Sequence, residues 1–463
     1  MFMGRETESA TLEEQYRYDR YTCAVILGRR RVGKTALINQ FLEGKKAVFL
    51  ATVDGSPRLN LENWSQSITE SIKKTEPGSV FSSASSALEF LFRGSEAERI
   101  VLVIDDFPRA DKVFGSLAEE LRRLIDQYRS RSRMMLILSG SPVSVMEERL
   151  LSPGAPLSDT VHAVLRLEPF DFEEACWFLK GFNPTDKAIA YGIFGGTPRN
   201  LLLLKDSQSI RENVRRCFLD SGAPLLEEPP FLLRQDVREP GVYTALLSAI
   251  ASGAMRMSDI SRRVGENTSV CATYLKVLMD LGLVEREIPY GEEGSRKAVY
   301  TIPDNTLRFW YRFIPKNLSL IARGETERVW QLIEPELNEY MAEVFRDICR
   351  QFLQKAFLSG RSPVAFDSLG RWWGPDPLHK QTAEIDIMGA ESDGRAALFA
   401  GCFWGEDKAG PEVLDSLIEK SRLFPYKKTS FFLFSRVGFT RECSELSRQR
   451  GDVRLVSFDQ KRA

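Results

Sequence analysis

The chain has 463 residues, 43% hydrophobic and 27% charged, with a formal net charge of -1. That length is too great for one hydrophobic core and fits about three domains of ordinary globular composition. The near-zero charge excludes a polyanion binder that works through the whole chain, although it leaves room for a local basic face.

The first fifteen residues, MFMGRETESATLEEQ, have no apolar stretch and carry acids early, so they do not read as a signal peptide. No apolar run reaches the roughly 18 residues a membrane span needs. The seven cysteines are scattered and form no CxxC pair, which predicts a reduced, cytoplasmic chain with buried thiols. His162 and His379 lie far apart and have no nearby Cys or His.

A short apolar strand is predicted over 23–27. Gly28-Arg29-Arg30-Arg31-Val32-Gly33-Lys34-Thr35 follows, and then a helix over 35–44. The eight residues fit G-x-x-x-x-G-K-[ST] without a mismatch. The chemistry needs each part. Glycines let the backbone curl until its N–H groups face phosphate oxygens. The helix N-terminus adds its dipole. Lys34 reaches the β- and γ-phosphates, and the Thr35 hydroxyl ligates Mg²⁺. The predicted ligand is a nucleoside triphosphate with Mg²⁺.

A strand over 45–52 comes next. The run IVLVI then delivers Asp105 and Asp106 to a strand end, where ligands sit in open α/β sheets. Asp105 is the expected water-mediated Mg²⁺ partner and Asp106 the expected orienter of the attacking water. Helical sequence covers 112–128. The apolar run 133–142 ends in Ser139 and Ser141. A polar residue there, Ser141 above all, either senses the γ-phosphate or serves the Ser-Gly-Ser-Pro turn. With a further strand over 162–170, the pattern predicts an α/β fold with a doubly wound parallel sheet.

Helical stretches at 170–180, 186–194 and 197–219 follow. The segment 221–241 is rich in proline and charge, as a linker is. Two helical periods over 243–284 and a strand-turn-strand over 283–302 give the order of a winged helix. Its second helix offers Thr268, Ser269, Thr273, Tyr274 and Lys276. Seven basic and seven acidic residues balance across 241–300, whereas a phosphate footprint is clearly basic. DNA contact, protein contact and a structural role all stay open. Residues 330–463 read as α/β, with helix over 331–358 and strands at 383–390, 396–404 and 428–435.

The ordered segments FMGRETESATLEEQY, GRRRVGKTALINQF, VLVIDDFPRA, LILSGSPVSVMEE, LRLEPFDFEEA and GGTPRNLLLL resemble the archaeal-ATPase family of AAA-related, STAND-like P-loop ATPases. YTIPDNTLRFWYRFI, GRWW, EIDIM and LFSRVGFT are similar to its C-terminal half. The resemblance implies ATP as the nucleotide. It also implies a helical lid, a winged helix and a restriction-endonuclease-like domain. The corresponding boundaries are a P-loop core over 1–168, a lid over 169–222, a linker over 223–240, a winged helix over 241–316 and a nuclease-like domain over 317–463. Gly28, Gly33, Lys34, Thr35 and Asp105 match the family positions. Arg199 resembles the arginine that approaches the γ-phosphate from the lid, and Gly4-Arg5-Glu6 the segment near the adenine.

Three departures matter. Asp106 stands where the family usually has Glu; the shorter acid implies slow hydrolysis. Thr160 stands where an arginine is frequent. In the C-terminal domain Asp386 and Glu384 fit a nuclease strand, but Gly401-Cys402-Phe403-Trp404 replaces the expected E-C-K-W, and Arg346 replaces a helical Glu, with Glu343 one turn earlier and Lys408 in the following loop. The implied function is a regulatory ATPase switch with an inactive nuclease-like domain and a protein partner; the alternative is an ATP-gated DNA-binding or DNA-cleaving protein.

Overall fold

The computed structural model describes residues 2–72, 80–295, 297–377 and 379–458. The chain divides into two compact units. Residues up to Pro169, with Thr197–Arg199, form the first; Phe170–Gly196 and the residues from Asn200 onward form the second.

The first unit is built on five parallel strands: β1 (Thr22–Gly28), β2 (Ala47–Leu50), β3 (Val101–Ile104), β4 (Met135–Gly140) and β5 (Ala163–Leu167), in the order β2-β3-β4-β1-β5. Every residue of β1, β3 and β4 is buried, as continuous apolar runs in a two-sided sheet should be. Two hydrophobic clusters line the sheet. Trp64, Leu88, Phe92 and Leu121 belong to one, and Leu12, Leu37, Ile38 and Phe41 to the other. The helix expected over 112–128 is two helices, Phe107–Phe114 and Leu117–Tyr128. They part at Gly115 and Ser116, both in the left-handed region (φ 59° and 51°), which no continuous helix tolerates.

The second unit carries two further sheets. A hairpin pairs β6 (Glu285–Glu287) with β7 (Val299–Thr301). A mixed sheet in the order β12-β11-β10-β9-β8 uses β8 (Gly370–Asp376), β9 (Gln381–Ala390), β10 (Ala396–Phe403), β11 (Lys428–Ser435) and β12 (Val453–Ser457). Helices Pro240–Ala251, Met257–Val264 and Thr268–Asp280 precede the hairpin, three helices where two helical periods were expected. Arg296, within the expected wing, lies outside the described residues. The helix Thr326–Leu358 is a single element of 33 residues.

Two expectations need correction. Residues 223–240, expected as a linker, hold the helix Glu228–Asp236 and bury Leu225 and Leu233. The prolines that suggested a linker stand at its first turn, where a missing N–H costs nothing. The continuous lid helix expected over 197–219 is instead Pro198–Leu201, Ile210–Val214 and a π-helical turn at Arg215–Leu219. Leu179, Phe194, Leu246, Leu275, Val344 and Leu398, from the segments expected as lid, winged helix and C-terminal domain, share one hydrophobic cluster within the second unit. Among the described residues no helix is long and apolar enough to cross a membrane.

Candidate functional site

The site lies at the C-terminal edge of the first unit's sheet. β1 ends at Gly28 and the helix Lys34–Leu42 begins six residues later. Gly28 is required by close approach, since a Cβ there would come within 2.6 Å of the Leu167 carbonyl oxygen at the end of β5. Gly33 takes φ 104°, a left-handed value that favours glycine. Arg31 also sits at positive φ (69°), a backbone state that costs a non-glycine residue of order 1 kcal/mol and concentrates at functional sites.

Lys34 Nζ donates to the carbonyls of Gly28 (2.7 Å) and Arg29 (3.0 Å), so the ammonium lies inside the curl of the loop. Burial pushes its pKa down to about 8, against the opposing pull of Asp105 and Asp106 and with some help from Arg30. Burial also lowers Arg31, as do the neighbouring Arg199 and Arg30 cations. The loop is therefore crowded with positive charge. Pro198, next to Arg199, approaches the Gly33 Cβ position to 3.8 Å.

Asp105 follows β3, and its carboxylate collects three donors. Thr35 Oγ1 donates to Oδ2 at 3.1 Å, the Asp106 amide donates to Oδ1 at 3.1 Å, and Ser139 Oγ donates to Oδ1. Ser139 reaches it because β4 runs between β3 and β1, with Leu138 opposite Ile104 and Ser139 opposite Ile26. Of the two serines named from sequence, Ser139 is the one joined to the acid; Ser141 lies beyond the end of β4. Asp106 starts the helix Phe107–Phe114 from a left-handed conformation (φ 51°), and its Oδ2 accepts from Arg109 Nε at 2.8 Å. Thr160 is buried and donates to the Leu157 carbonyl.

Arg5 was named only as part of a segment near the base. It is buried, donates to the carbonyls of Glu168 (2.5 Å) and Val32 (3.4 Å) and pairs with Glu8. It thus ties the N-terminal helix Glu6–Arg17 to the phosphate loop. The sequence signals for it were the likeness of Gly4-Arg5-Glu6 to the family's N-terminal segment and its place just before an acidic first helical turn.

In the second unit, Glu384 and Asp386 stand two apart on β9 and are bridged by one guanidinium. Arg346 Nε donates to Asp386 Oδ1 at 2.9 Å, and Arg346 Nη2 lies 3.3 Å from Glu384 Oε1. Arg371 Nε also donates to Glu384 Oε1 (2.5 Å), and the Cys402 amide donates to Asp386 Oδ2 (2.9 Å). Both arginines hold the Glu384 carboxyl below its usual range although burial opposes them. Each of the two carboxylates is thus already engaged by at least one guanidinium. Among the described residues no group of three or more His, Cys, Asp or Glu side chains is placed to hold a metal ion. On the helix Thr268–Asp280, residues Thr268, Ser269, Thr273 and Lys276 are exposed, but Tyr274 packs edge-on against Tyr243 (4.8 Å between centroids) and is a core contact.

With this geometry in hand, residues 2–204 match the family of an ATPase domain predominantly from Archaea. Residues 310–413 match a family of archaeal and bacterial proteins of unknown function. An uncharacterized protein of Methanocaldococcus jannaschii is 29% identical over 434 residues, which is 91% of this chain and 92% of that protein. A shorter uncharacterized ATP-binding protein of the same organism is 46% identical over 46 residues, 10% of this chain and 78% of that one. A Walker-type ATPase of Pyrococcus abyssi superposes with a TM-score of 0.51 at 20% identity, covering 67% of this chain and 96% of that one, a likeness of fold.

Proposed function

We propose that the chain, whose residues 2–204 match an ATPase-domain family predominantly from Archaea, binds ATP with Mg²⁺ at Gly28–Thr35 and hydrolyses it slowly, as a nucleotide-dependent switch for a protein partner. The observation that carries this is the Lys34 ammonium inside the curl of the loop, beside the hydrogen-bonded set Thr35, Asp105 and Ser139. The loop amides of Arg29, Arg30, Arg31, Val32 and Gly33, with the Lys34 ammonium, hold the phosphate tail. Thr35 and Asp105 hold Mg²⁺, which when bound neutralises charge on the β- and γ-phosphates. Asp106 orients the attacking water, Ser141 lies near the γ-phosphate, and Arg199 spreads its charge over phosphoryl oxygens as negative charge develops there. Turnover is slow because Asp106 is one methylene shorter than a glutamate. Phosphate release by the full chain tests this. Asp106→Asn should lower kcat about 100-fold, within the range for loss of a positioned acid-base group; an unchanged kcat removes Asp106 from the mechanism.

The sign of the pH dependence follows from Lys34. Near pH 7 its ammonium is charged. In the nucleotide-free protein the charge is lost as pH rises through about 8, earlier than for an ordinary lysine. A bound polyanion favours the charged form, so binding near pH 8 draws a proton onto the protein. Calorimetric titrations in buffers of different ionisation enthalpy should report proton uptake; proton release would contradict this assignment.

The second unit, on this reading, is a winged helix and an inactive restriction-endonuclease-like fold that docks a partner in the cytoplasm. Support comes from Arg346, whose guanidinium fills the carboxylates a nuclease would use for metal. The DNA-binding alternative rests on the exposed Thr268, Ser269, Thr273 and Lys276 of the helix Thr268–Asp280, and is opposed by the balanced charge around them.

A further inference from the structure

Asp106 is held by more than its place in the chain. The amides of Arg109 and Ala110 donate to its carbonyl oxygen (2.9 and 3.1 Å), so its backbone caps the helix Phe107–Phe114. Its side chain does not cap. Instead Oδ2 accepts from Arg109 Nε at 2.8 Å, an i,i+3 pair in which the two side chains are 32% and 31% exposed.

The helix that carries Arg109 is a fixed platform. Phe107 and Ala110 are buried in the sheet's core, and Pro108 lies against Gly140 at the end of β4, where a Cβ would come within 2.6 Å of the proline ring. Its two ends are left-handed, at Asp106 and at Gly115-Ser116. The charged groups around Asp106 pull in different directions. Asp105 is next to it and accepts a hydrogen bond from its amide, while Lys34 senses its charge. Arg109 is the cation in hydrogen-bond contact.

A carboxylate oxygen that already accepts from a guanidinium is a poorer acceptor for a water proton, and its rotamer is set by that bond. We propose that Arg109 is a positioning residue that restrains Asp106, so that ATP hydrolysis requires the Asp106–Arg109 pair to open. The restraint rests on the reading of Asp106 as the water-orienting acid. It gives the slow turnover a second cause besides the short side chain, and it gives a partner that contacts the helix Phe107–Phe114 a way to speed hydrolysis.

Steady-state phosphate release by the full chain tests this with Arg109→Gln, Arg109→Lys, Asp106→Asn and the Asp106→Asn/Arg109→Gln double variant. Arg109→Gln should raise kcat about two- to fivefold, the factor that the strength of an exposed ion pair allows, with KM for ATP unchanged. Arg109→Lys, which keeps a cation, should stay near wild type. Adding Arg109→Gln to Asp106→Asn should give no gain. An unchanged or lowered kcat for Arg109→Gln, with Asp106→Asn still impaired, overturns the restraint and leaves the role of Asp106 standing. A shift in thermal midpoint with kcat and KM unchanged also overturns it. If Asp106→Asn turns over like wild type, the role of Asp106 falls and the restraint with it.

Discussion

Lys34→Ala should weaken MgATP binding by roughly 10- to 100-fold, the cost of removing one charge-assisted donor from a phosphate. The ammonium sits inside the loop's curl and is the cation closest to the helix start, so no neighbour takes its place at the β- and γ-phosphates. The three arginines at 29–31 belong to the same loop and keep part of the electrostatic attraction, which is why some affinity should remain. The nucleotide-free protein should lose little stability, about 1 kcal/mol or less, because the lysine's present partners are two loop carbonyls and not the core. Fluorescent-nucleotide titration and thermal melting of the same preparation check both statements. Equal affinity in wild type and variant would contradict the assignment of the loop.

Arg346→Ala should destabilise the second unit by about 2–3 kcal/mol. Removing one partner of a fully buried ion pair costs more, about 3–5 kcal/mol. Here Asp386 and Glu384 are 27% and 39% exposed, and water screens what is left. Glu384 keeps Arg371, but Asp386 loses its cation and, among the described residues, retains only the Cys402 amide. The double variant Arg346→Ala/Asp386→Ala should therefore recover part of the loss, as removal of both partners usually does. Denaturant unfolding measures this, and a midpoint unmoved by Arg346→Ala would show that the guanidinium is dispensable. Wild type and Asp386→Ala should both leave DNA intact with Mg²⁺ or Mn²⁺. Cleavage by wild type that disappears with Asp386→Ala would establish the DNA-cleaving alternative.

What could be read from sequence follows from how local each feature is. The phosphate loop was legible because its chemistry needs eight consecutive residues. Asp105 was legible because five apolar residues and an acid announce a buried strand end. Ser139 was not separable from Ser141, because its contact with Asp105 depends on β4 lying between β1 and β3, a sheet order that no local pattern encodes. Arg109 was present in the quoted segment DDFPRA. Its pairing with Asp106 needed the knowledge that Pro108 stands in the first turn of a helix, which brings residue i+3 back over residue i. The bond from Arg346 to Asp386 spans 40 residues and two elements, and only the absence of the usual nuclease residues hinted at it. The linker reading failed for the opposite reason. Pro229 and Pro230 look like breakers until the helix that starts on them buries Leu233.

The central claim is that Gly28–Thr35 and Asp105 together hold a magnesium-bound triphosphate. Isothermal titration of MgATP into the full chain addresses it most directly. Saturable binding of one nucleotide per chain is expected, weakened when Mg²⁺ is chelated and weakened again by Asp105→Ala. Absence of binding heat at any temperature tried, with no thermal stabilisation by MgATP, would contradict it.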